Sequence, residues 1–351
     1  MKIGILTHHY INNFGAFLQT YALQEAVKEL YPNDEVYVIN AINMKHFIIN
    51  TCGWFRFYKN RENIKSWIQK IQLPITFYKA RQKYLNLTRR CFNTAAINNL
   101  KLDCIIVGSD EVWNYKESKG NAEVKFGQGL QCNNIVAYAP SVGKSEYNGT
   151  EPEYINKGLE KFKAISSRDD LTEEFVDGIL GYKPPRVLDP TFLSHFPEEE
   201  YSGLNKPYVL FYYCDGMSKK LKNEIIEKAH KQGYAVYGAG ESDKKYTDIT
   251  VNLTPFEWVT MFKNAKYVFT GTFHGAVFSI LSQKQFQIYM TNESRIKKIS
   301  SLLEQFEINK DDIDLNSGVT LFDNKINYEI VNEKIKMLKE NSKSYLLNNL
   351  R

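Results

Sequence analysis

The sequence predicts an α/β protein with two domains, each built on a parallel β-sheet. Short apolar runs typical of buried strands alternate along the chain with longer segments whose apolar residues recur at helical spacing. The opening strand, helix and strand, over residues 2–6, 18–30 and 36–39, form a β-α-β unit. The length of 351 residues exceeds what a single core usually holds, so we expect two cores.

The first domain is predicted over residues 1–196, where one strand after another ends in a polar loop. Apolar runs that begin at residues 104, 135, 164 and 187 are followed by Asp, Ser, Asn or Arg side chains. In open α/β sheets, ligands bind in the crevice at the carboxyl ends of the strands. We therefore expect the polar side chains of this domain to meet in one crevice.

The second domain is predicted over residues 207–326, after a polar and acidic stretch bounded by Pro197 and Pro207. Its expected strands cover residues 208–213, 235–237, 265–269 and 285–289, and its expected helices cover residues 219–232, 255–264, 276–281 and 296–306. A final helix, within the segment 327–351, fits against either domain.

A basic and aromatic segment over residues 45–92 interrupts the first domain and predicts amphipathic helices punctuated at Pro74. Residues 51–92 contain ten Lys or Arg against one acid, Glu62, a charge of +9, so the rest of the chain sums to −4 for a net charge of +5. Three interpretations are open: nucleic-acid binding, contact with an anionic membrane leaflet, and a solvated helical hairpin whose aromatic residues are core. No nucleic-acid motif accompanies the segment, so of the two partners the membrane fits better and no nucleic-acid partner is predicted.

The five cysteines form no CxxC pair and include an odd one, which argues against a zinc site and against a disulfide framework. No apolar run has the length of a membrane span, and the first residues are too short an apolar run for a signal peptide. We therefore predict a cytoplasmic protein without a metal, peripheral at the inner membrane face if residues 51–92 contact lipid.

Residues 270–279 place one imidazole at a strand-to-helix turn flanked by glycines. Backbone N–H groups at a helix start attract anions, and Gly271 and Gly275 let a ligand approach the main chain closely. The motif predicts a phosphate-binding turn in which His274 is either a cation or a general acid. The alternative is a core histidine that caps the turn.

Seven motifs, in this order, resemble those of the polysaccharide pyruvyl transferases, a family similar in architecture to the two-domain GT-B glycosyltransferases. They lie at residues 13–19, 108–114, 166–169, 187–191, 255–258, 270–275 and 294–296. The resemblance implies two Rossmann-like domains in a GT-B-like arrangement, with an acceptor-side first domain, a donor-side second domain and an interdomain cleft. It also implies transfer of a carboxyethylidene group from phosphoenolpyruvate to two hydroxyls of a surface polysaccharide or exopolysaccharide, leaving a cyclic ketal and phosphate, with no cofactor besides the donor.

The sequence departs from better-studied family members at Thr272, where those members carry an Arg two residues before the His. The Thr-Phe-His form resembles a large sub-group of the family. The missing cation leaves a second hypothesis, a GT-B-type glycosyltransferase that uses a nucleotide sugar, and a third, a non-catalytic glycan- or membrane-binding homologue.

The candidate site residues come from these motifs. His274 and Asp110 are the predicted catalytic groups, because ketal formation needs a proton delivered to the donor's methylene carbon and a base for the acceptor hydroxyl. The predicted donor-binding residues are Arg168, Thr272, Gly275 and Arg295, and the predicted acceptor-binding residues are Asn13, Gly15, Gln19, Trp113 and Asn114. Alternatives are an ion pair of Arg168 with Asp169 or Asp170, core packing of Trp113 and a structural Asp189. The expected acceptor is a saccharide, which in such enzymes is often lipid-linked.

Overall fold

The computed structural model describes residues 1–57, 63–117, 123–204 and 206–351. The chain forms two compact units, which we call unit 1 and unit 2. Unit 1 consists of Met1–Gly53, Tyr78–His195 and Ile335–Arg351, and unit 2 consists of Trp54–Phe77 and Phe196–Lys334. Each unit contains one parallel sheet, which confirms the predicted fold class.

The sheet of unit 1 has five strands in the order β2-β1-β3-β4-β5. These strands are β1 (Lys2–Leu6), β2 (Glu35–Val38), β3 (Cys104–Val107), β4 (Ile135–Ala137) and β5 (Ala164–Ile165). Its helices are α1 (Phe14–Leu30), α2 (Met44–Cys52), α4 (Thr94–Asn98), α5 (Glu153–Leu159) and α6 (Asp170–Leu180), and α3 (Ile64–Tyr84) begins in unit 2 and ends in unit 1.

Successive side chains of a strand point to opposite faces of the sheet, and in unit 1 both faces are buried. Ile105 and Val107 belong to a core that includes residues of α5 and α6. Cys104 and Ile106 belong to the core of the other face, which includes residues of α1 and of α11 (Tyr328–Asn349). Strands of this kind are apolar throughout, so polar groups with chemical functions are confined to the loops at their ends.

The run predicted as a strand from residue 187 forms no strand. The backbone pairs only once, through an isolated bridge between Ser167 and Arg186, and Val187 N donates to Ser167 O at 2.9 Å. Prolines precede and follow this run, and a proline has no N–H to donate to a ladder. A short 3-10 helix, Pro190–Phe192, follows instead, capped by the Asp189 side chain.

The sheet of unit 2 has four strands in the order β7-β6-β8-β9. They are β6 (Tyr208–Tyr212), β7 (Ala235–Gly238), β8 (Tyr267–Thr270) and β9 (Phe286–Ile288), and the helices are α7 (Lys219–Lys231), α8 (Pro255–Asn264), α9 (Phe273–Leu281) and α10 (Glu293–Gln305). Helix α8 has the predicted bounds because its start is strongly encoded: Thr254 and Glu257 form a capping box, and Pro255 occupies the first turn.

The middle part of the basic segment, Trp54–Phe77, belongs to unit 2, whereas the sequence assigned the whole segment to the first domain. The side-chain carboxamide of Gln69 in α3 forms hydrogen bonds with backbone groups of unit 2. Its Oε1 accepts from Val251 N at 3.0 Å and from Asn252 N at 3.2 Å, and its Nε2 donates to Ile249 O at 3.2 Å. The buried side chains of Leu73 and Phe77 lie on the same helix. This docking joins residues about 180 positions apart in sequence.

The last part of α11 packs on unit 1 through specific hydrogen bonds. Tyr345 OH donates to Ala137 O of β4 at 2.9 Å, and Ser342 Oγ accepts from Leu188 N at 2.9 Å. Among the helices of the described ranges, none combines the length and the apolar character that crossing a bilayer requires.

Candidate active site

The predicted site residues fall into two groups, one at the strand ends of each unit. Asp110 and Arg168 follow β3 and β5 of unit 1, and His274 and Arg295 follow β8 and β9 of unit 2. This is the placement expected for ligand-binding loops of parallel sheets. Each group is described by itself.

Arg168 is the centre of a buried ion cluster in unit 1. Its Nη1 donates to Asp189 Oδ2 at 2.5 Å and its Nη2 to Asp110 Oδ1 at 3.2 Å, while its Nε lies 3.9 Å from Asp169 Oδ2. Burial alone would lower the pKa of Arg168, but these carboxylates outweigh it and raise the pKa. The guanidinium therefore compensates protein carboxylates, and its contact with the donor stays a prediction. The Asp169 contact was the anticipated alternative; Asp110 and Asp189 are the stronger partners.

Asp110 is the accessible member of this cluster. Its side chain is 19% exposed, against 3% for Arg168 and 0% for Asp189. Its backbone is in the left-handed region, with φ of 72°, which Asp tolerates better than most residues. Asp189 Oδ1 accepts from Thr191 N, so its carboxylate is fixed from behind. Asp189 holds Arg168, and Arg168 in turn orients the carboxylate of Asp110, which remains partly open to solvent.

A second buried pair, His8 and Lys125, lies in the same unit and was missed by the sequence analysis. Lys125 Nζ lies 2.8 Å from His8 Nδ1, and His8 Nε2 lies 3.2 Å from Glu111 O. Because a carbonyl only accepts, Nε2 carries the hydrogen, and Nδ1 accepts from the Lys125 amine. The position of His8 directly after β1 is a signal that could have indicated it, but Lys125 is 117 residues away with no motif to indicate it.

Burial gives these groups unusual protonation behaviour. It lowers the pKa of Lys125 to about 7, against an opposing influence of Asp110. Burial, together with the neighbouring Lys125, lowers the pKa of His8 well below its ordinary value. The pKa of His9 is lowered to about 4, again chiefly by burial. Unit 1 thus holds a lysine that changes its charge near neutral pH beside neutral imidazoles.

Trp113, predicted to stack on an acceptor sugar, is a core residue. Its indole is fully buried, stacked on Phe126 at 5.8 Å between ring centroids and packed edge to face on Phe162 at 5.7 Å. Its Nε1 donates to Lys125 O at 2.8 Å. Both faces are therefore covered by the protein, and the expectation of sugar stacking is corrected in favour of core packing.

Gln19 is likewise buried and engaged within unit 1. Its Nε2, which has two hydrogens to donate, lies within hydrogen-bond distance of three acceptors: Thr7 Oγ1 at 3.0 Å, Ala16 O at 2.9 Å and Thr20 Oγ1 at 2.8 Å. A side chain with no exposed surface has no access to an acceptor, so its predicted acceptor contact is corrected.

The other predicted acceptor residues occupy the loops. Asn13 is exposed and caps α1, its Oδ1 accepting from Ala16 N at 3.0 Å, while Gly15 is buried in the first turn of that helix. Asn114 is half-buried, and its Nδ2 donates to Glu111 Oε2 at 3.1 Å. Of the predicted acceptor set, Asn13 and Asn114 keep accessible surface.

In unit 2, the turn before α9 is organised by threonines. Thr272 is the N-cap residue, and its Oγ1 accepts from Gly275 N at 3.0 Å. A Cβ at Gly275 would lie 1.9 Å from Thr270 Oγ1, so glycine is required there by the packing of the turn itself. A Cβ at Gly271 would lie 2.5 Å from Tyr289 O. The close approach that the sequence suggested for a ligand is made here by the protein's own atoms.

His274 lies in the first turn of α9 and is half-buried, with its ring edge to face against Phe273 at 5.5 Å between centroids. Arg295 lies in the first turn of α10, where its Nη1 is 3.1 Å from Asp215 Oδ2. Both partners of that ion pair are exposed. Exposed pairs contribute little to stability, at most about 1 kcal/mol, so Arg295 can leave Asp215 for a bound anion at small cost.

Unit 2 also contains a cavity of about 630 Å³ that the sequence did not predict. Loops after β6 and β7 form one side, and Trp54, Ser66 and Lys70 of the docked segment Trp54–Phe77 form another. Its cationic lining residues are Lys70, Lys219, Lys222, Lys244 and Lys245, and its acidic ones are Asp215, Glu241 and Asp243. The volume is within the range of small-molecule sites. Because the walls come from distant segments, no local motif announces it.

These observations define a two-unit α/β protein with carboxylate, imidazole and cationic side chains at the strand ends of its parallel sheets. The sequence matches the family model of polysaccharide pyruvyl transferase over residues 13–289. The chain therefore belongs to the polysaccharide pyruvyl transferase family and is a transferase.

Solved structures similar to this chain have low sequence identity to it. UGT71G1 of Medicago truncatula, complexed with UDP-glucose, has 9% identity and a TM-score of 0.46, with 99% of this chain and 98% of that chain covered. The glycosyltransferase SsfS6 of Streptomyces sp. SF2575, complexed with thymidine diphosphate, has 12% identity and a TM-score of 0.44, with 98% and 96% covered. A putative UDP-N-acetylglucosamine 2-epimerase of Listeria monocytogenes has 11% identity and a TM-score of 0.44, with 99% and 91% covered. Among curated proteins, no match to the sequence is found.

Proposed function

We propose that this transferase moves a carboxyethylidene group from phosphoenolpyruvate to a saccharide of a surface polysaccharide or exopolysaccharide. Two acceptor oxygens form bonds to the donor's central carbon, the bond from that carbon to the phosphate oxygen breaks, and the methylene carbon takes up a proton to become a methyl group. Of the two hydroxyl protons, one is balanced by the new methyl hydrogen and the other by the phosphate. The enzyme must therefore accept a proton, deliver one to carbon and hold the leaving phosphate.

The observation that carries this proposal is the accessible and oriented carboxylate of Asp110. It is a partly exposed carboxylate at the end of β3, oriented by the buried Arg168. A carboxylate held in one orientation is suited to accept the proton of an acceptor hydroxyl as the new bond forms. We assign Asp110 as the general base and Arg168 as its positioning residue, with Asn13 and Asn114 as acceptor contacts.

On the donor side we assign His274 as the group that protonates the methylene carbon or holds the phosphate. Thr272 and Gly275 shape the start of α9, which favours an anion through its N–H groups. With Arg168 committed to carboxylates, Arg295 is the better candidate for the cation that Thr272 does not supply. The acceptor is proposed to be lipid-linked, which fits the surplus of cations in residues 51–92 and a position at the cytoplasmic membrane face.

Incubation with phosphoenolpyruvate and candidate glycans tests the proposal. We expect one phosphate released for each acceptor that gains a carboxyethylidene group. Asp110→Asn is expected to lower kcat/KM by about 10²- to 10⁴-fold, the usual contribution of general-base catalysis, in a variant that circular dichroism shows to be folded. The matched control is Asp312→Asn, an exposed aspartate outside the strand-end loops, which leaves turnover unchanged. Turnover that is unaffected by Asp110→Asn would remove the assigned base.

A nucleotide-sugar glycosyltransferase is the second candidate, favoured by the cavity of about 630 Å³ with its lysine and aromatic lining. Stabilisation by ligands separates the two, because a ligand that binds only the folded protein raises its unfolding temperature. A thermal shift with phosphoenolpyruvate and none with nucleotide sugars supports the pyruvyl transferase. The reverse pattern, together with no phosphate release, supports the glycosyltransferase; affinity for glycans without either donor indicates a binding protein.

A further inference from the structure

Helix α3 presents an apolar stripe on the face that points away from its docking site. Ile64, Ile68 and Ile75 are 70%, 43% and 59% exposed, and Ile71 between them is half-buried. Their spacing of four, three and four residues places them within an arc of about 60° on the helix. All four lie in the part of α3 that belongs to unit 2. We call these four residues the isoleucine stripe.

The opposite face of the helix is already used for folding. Ser66, Lys70, Leu73 and Phe77 are buried, and they recur on the side of α3 across from the isoleucine stripe. Leu73 and Phe77 make the later part of this buried face apolar, so the helix carries apolar residues on two opposite faces. The fold supplies one partner, and the isoleucine stripe has none among the residues that the structure describes.

Aromatic residues extend this surface at the start of the helix. Phe55 and Phe57 are exposed, and the Phe57 ring packs edge to face on Trp67 at 6.0 Å between centroids. Trp67 Nε1 donates to Phe55 O at 3.3 Å, which ties the two segments together. Contiguous exposed apolar surface of this kind marks an interaction site.

The charge around the stripe identifies the partner. Helix α3 contains five Lys or Arg and no acidic residue. Lys65, Lys79 and Lys83 among them are exposed. A second copy of the helix would bring like charges together without an acid to pair them, whereas anionic lipid head groups provide the complementary charge. Aliphatic side chains with Trp and Phe on one face and lysines beside them are the composition of helices that lie in a bilayer interface.

We propose that the isoleucine stripe, with Phe55 and Phe57, inserts into the interface of an anionic membrane leaflet, with the exposed Lys65, Lys79 and Lys83 of α3 at the head groups. This inference deepens the proposed function, on which its biological use rests, because a lipid-linked acceptor is presented at that surface. Binding to lipid itself requires neither donor nor acceptor.

Vesicle sedimentation tests the proposal with the full-length protein. Vesicles of phosphatidylcholine and phosphatidylglycerol in equal amounts are expected to bind the protein, and vesicles of phosphatidylcholine alone to bind it much less. The triple variant Ile64→Ser, Ile68→Ser, Ile75→Ser is expected to lose roughly tenfold or more of this binding, because apolar insertion and head-group attraction act together. Lys65→Gln is expected to weaken binding at low salt and to reduce its salt dependence.

The matched control replaces three exposed apolar residues of another helix, with Ile330→Ser, Met337→Ser and Leu347→Ser in α11, and keeps vesicle binding. Circular dichroism and the thermal midpoint establish that both triple variants are folded. Equal binding by the stripe variant and the wild type, or no binding of the wild type to anionic vesicles, overturns the proposal. A dimer in sedimentation equilibrium that the stripe variant loses, without vesicle binding, assigns the surface to a second copy instead. Since no substrate is present, these results are independent of whether phosphoenolpyruvate is the donor.

Discussion

At the scale of single residues, the chemistry of unit 1 depends on how buried charges are compensated. Arg168 contacts three carboxylates, of which Asp189 is fully buried and Asp110 partly exposed. Removing one partner of a buried ion pair leaves the other charge without compensation, which costs more than the pair contributes. Arg168 therefore holds carboxylates in place in the folded protein.

Replacement of Arg168 by methionine tests this role. Arg168→Met is expected to lower the free energy of unfolding by about 3 to 5 kcal/mol, because Asp189 and Asp110 lose their cation in a buried site. Arg186→Met is the control, since Arg186 also contacts two carboxylates, Asp170 and Glu173, but is 28% exposed. Its loss is expected to cost about 1 kcal/mol or less. Denaturant titration measures the free energy of unfolding of both variants. Equal losses of this free energy in the two variants would contradict the role assigned to Arg168.

Lys125 makes stability depend on pH in a defined direction. Its pKa is about 7 in the folded protein, against about 10.4 for an unfolded lysine, so the unfolded chain binds more protons between these values. The free energy of unfolding therefore rises as pH rises from about 7 to about 10. Below about pH 7 the amine is charged in both states, and the full destabilisation from burying its charge is present. The contribution is several kcal/mol, since each pKa unit corresponds to about 1.4 kcal/mol.

Lys125→Met is expected to remove this dependence. Between pH 7 and pH 10, the free energy of unfolding of this variant is predicted to change less with pH than that of the wild type. The control is Lys231→Met, at an exposed lysine of α7, which is predicted to keep the pH dependence of the wild type. His8, His46 and Asp110 face the same cluster, and their charges are common to all three proteins. A wild-type slope retained in Lys125→Met would show that the amine is already charged at neutral pH.

At the scale of elements, the bounds of helices and strands follow closely from local sequence. Helix α8 has its predicted bounds because a capping box and a proline mark its start. The fold class was predictable for the same reason, since the apolar runs of the strands are local signals. The roles of individual side chains were less accessible: Trp113 and Gln19 were assigned to the acceptor because burial depends on distant segments, here Phe162 and Thr7.

The docking of α3 on unit 2 is an element-scale prediction. Gln69→Ala is expected to leave the N–H groups of Val251 and Asn252 without their carboxamide partner, at a cost of about 1 to 3 kcal/mol. Amide hydrogen exchange in the part of α3 within unit 2 is predicted to accelerate. Gln72→Ala is the matched control, because exposed Gln72 of the same helix contacts only the Asn252 side chain, at 3.3 Å. Equal exchange in the two variants would show that Gln69 does not hold the segment.

At the scale of the whole molecule, two α/β units, each with a parallel sheet, carry the two halves of the proposed chemistry. The proposed acceptor base is in unit 1 and the proposed donor groups are in unit 2. The cavity of about 630 Å³ and the Lys125 and His8 pair had no sequence motif, because each brings together residues far apart in the chain. The motifs predicted the family, and the packing decided which of their residues are accessible.

Protonation of the donor carbon is the central claim, and the reaction in D₂O tests it most directly. Ketal formation from phosphoenolpyruvate converts the methylene into a methyl group, so the product is predicted to carry one solvent-derived deuterium in that methyl group, with one phosphate released for each ketal formed. Mass spectrometry of the saccharide product measures both the transferred group and its deuterium. A saccharide that gains a sugar residue from a nucleotide donor, or a transferred group without deuterium, would contradict the account.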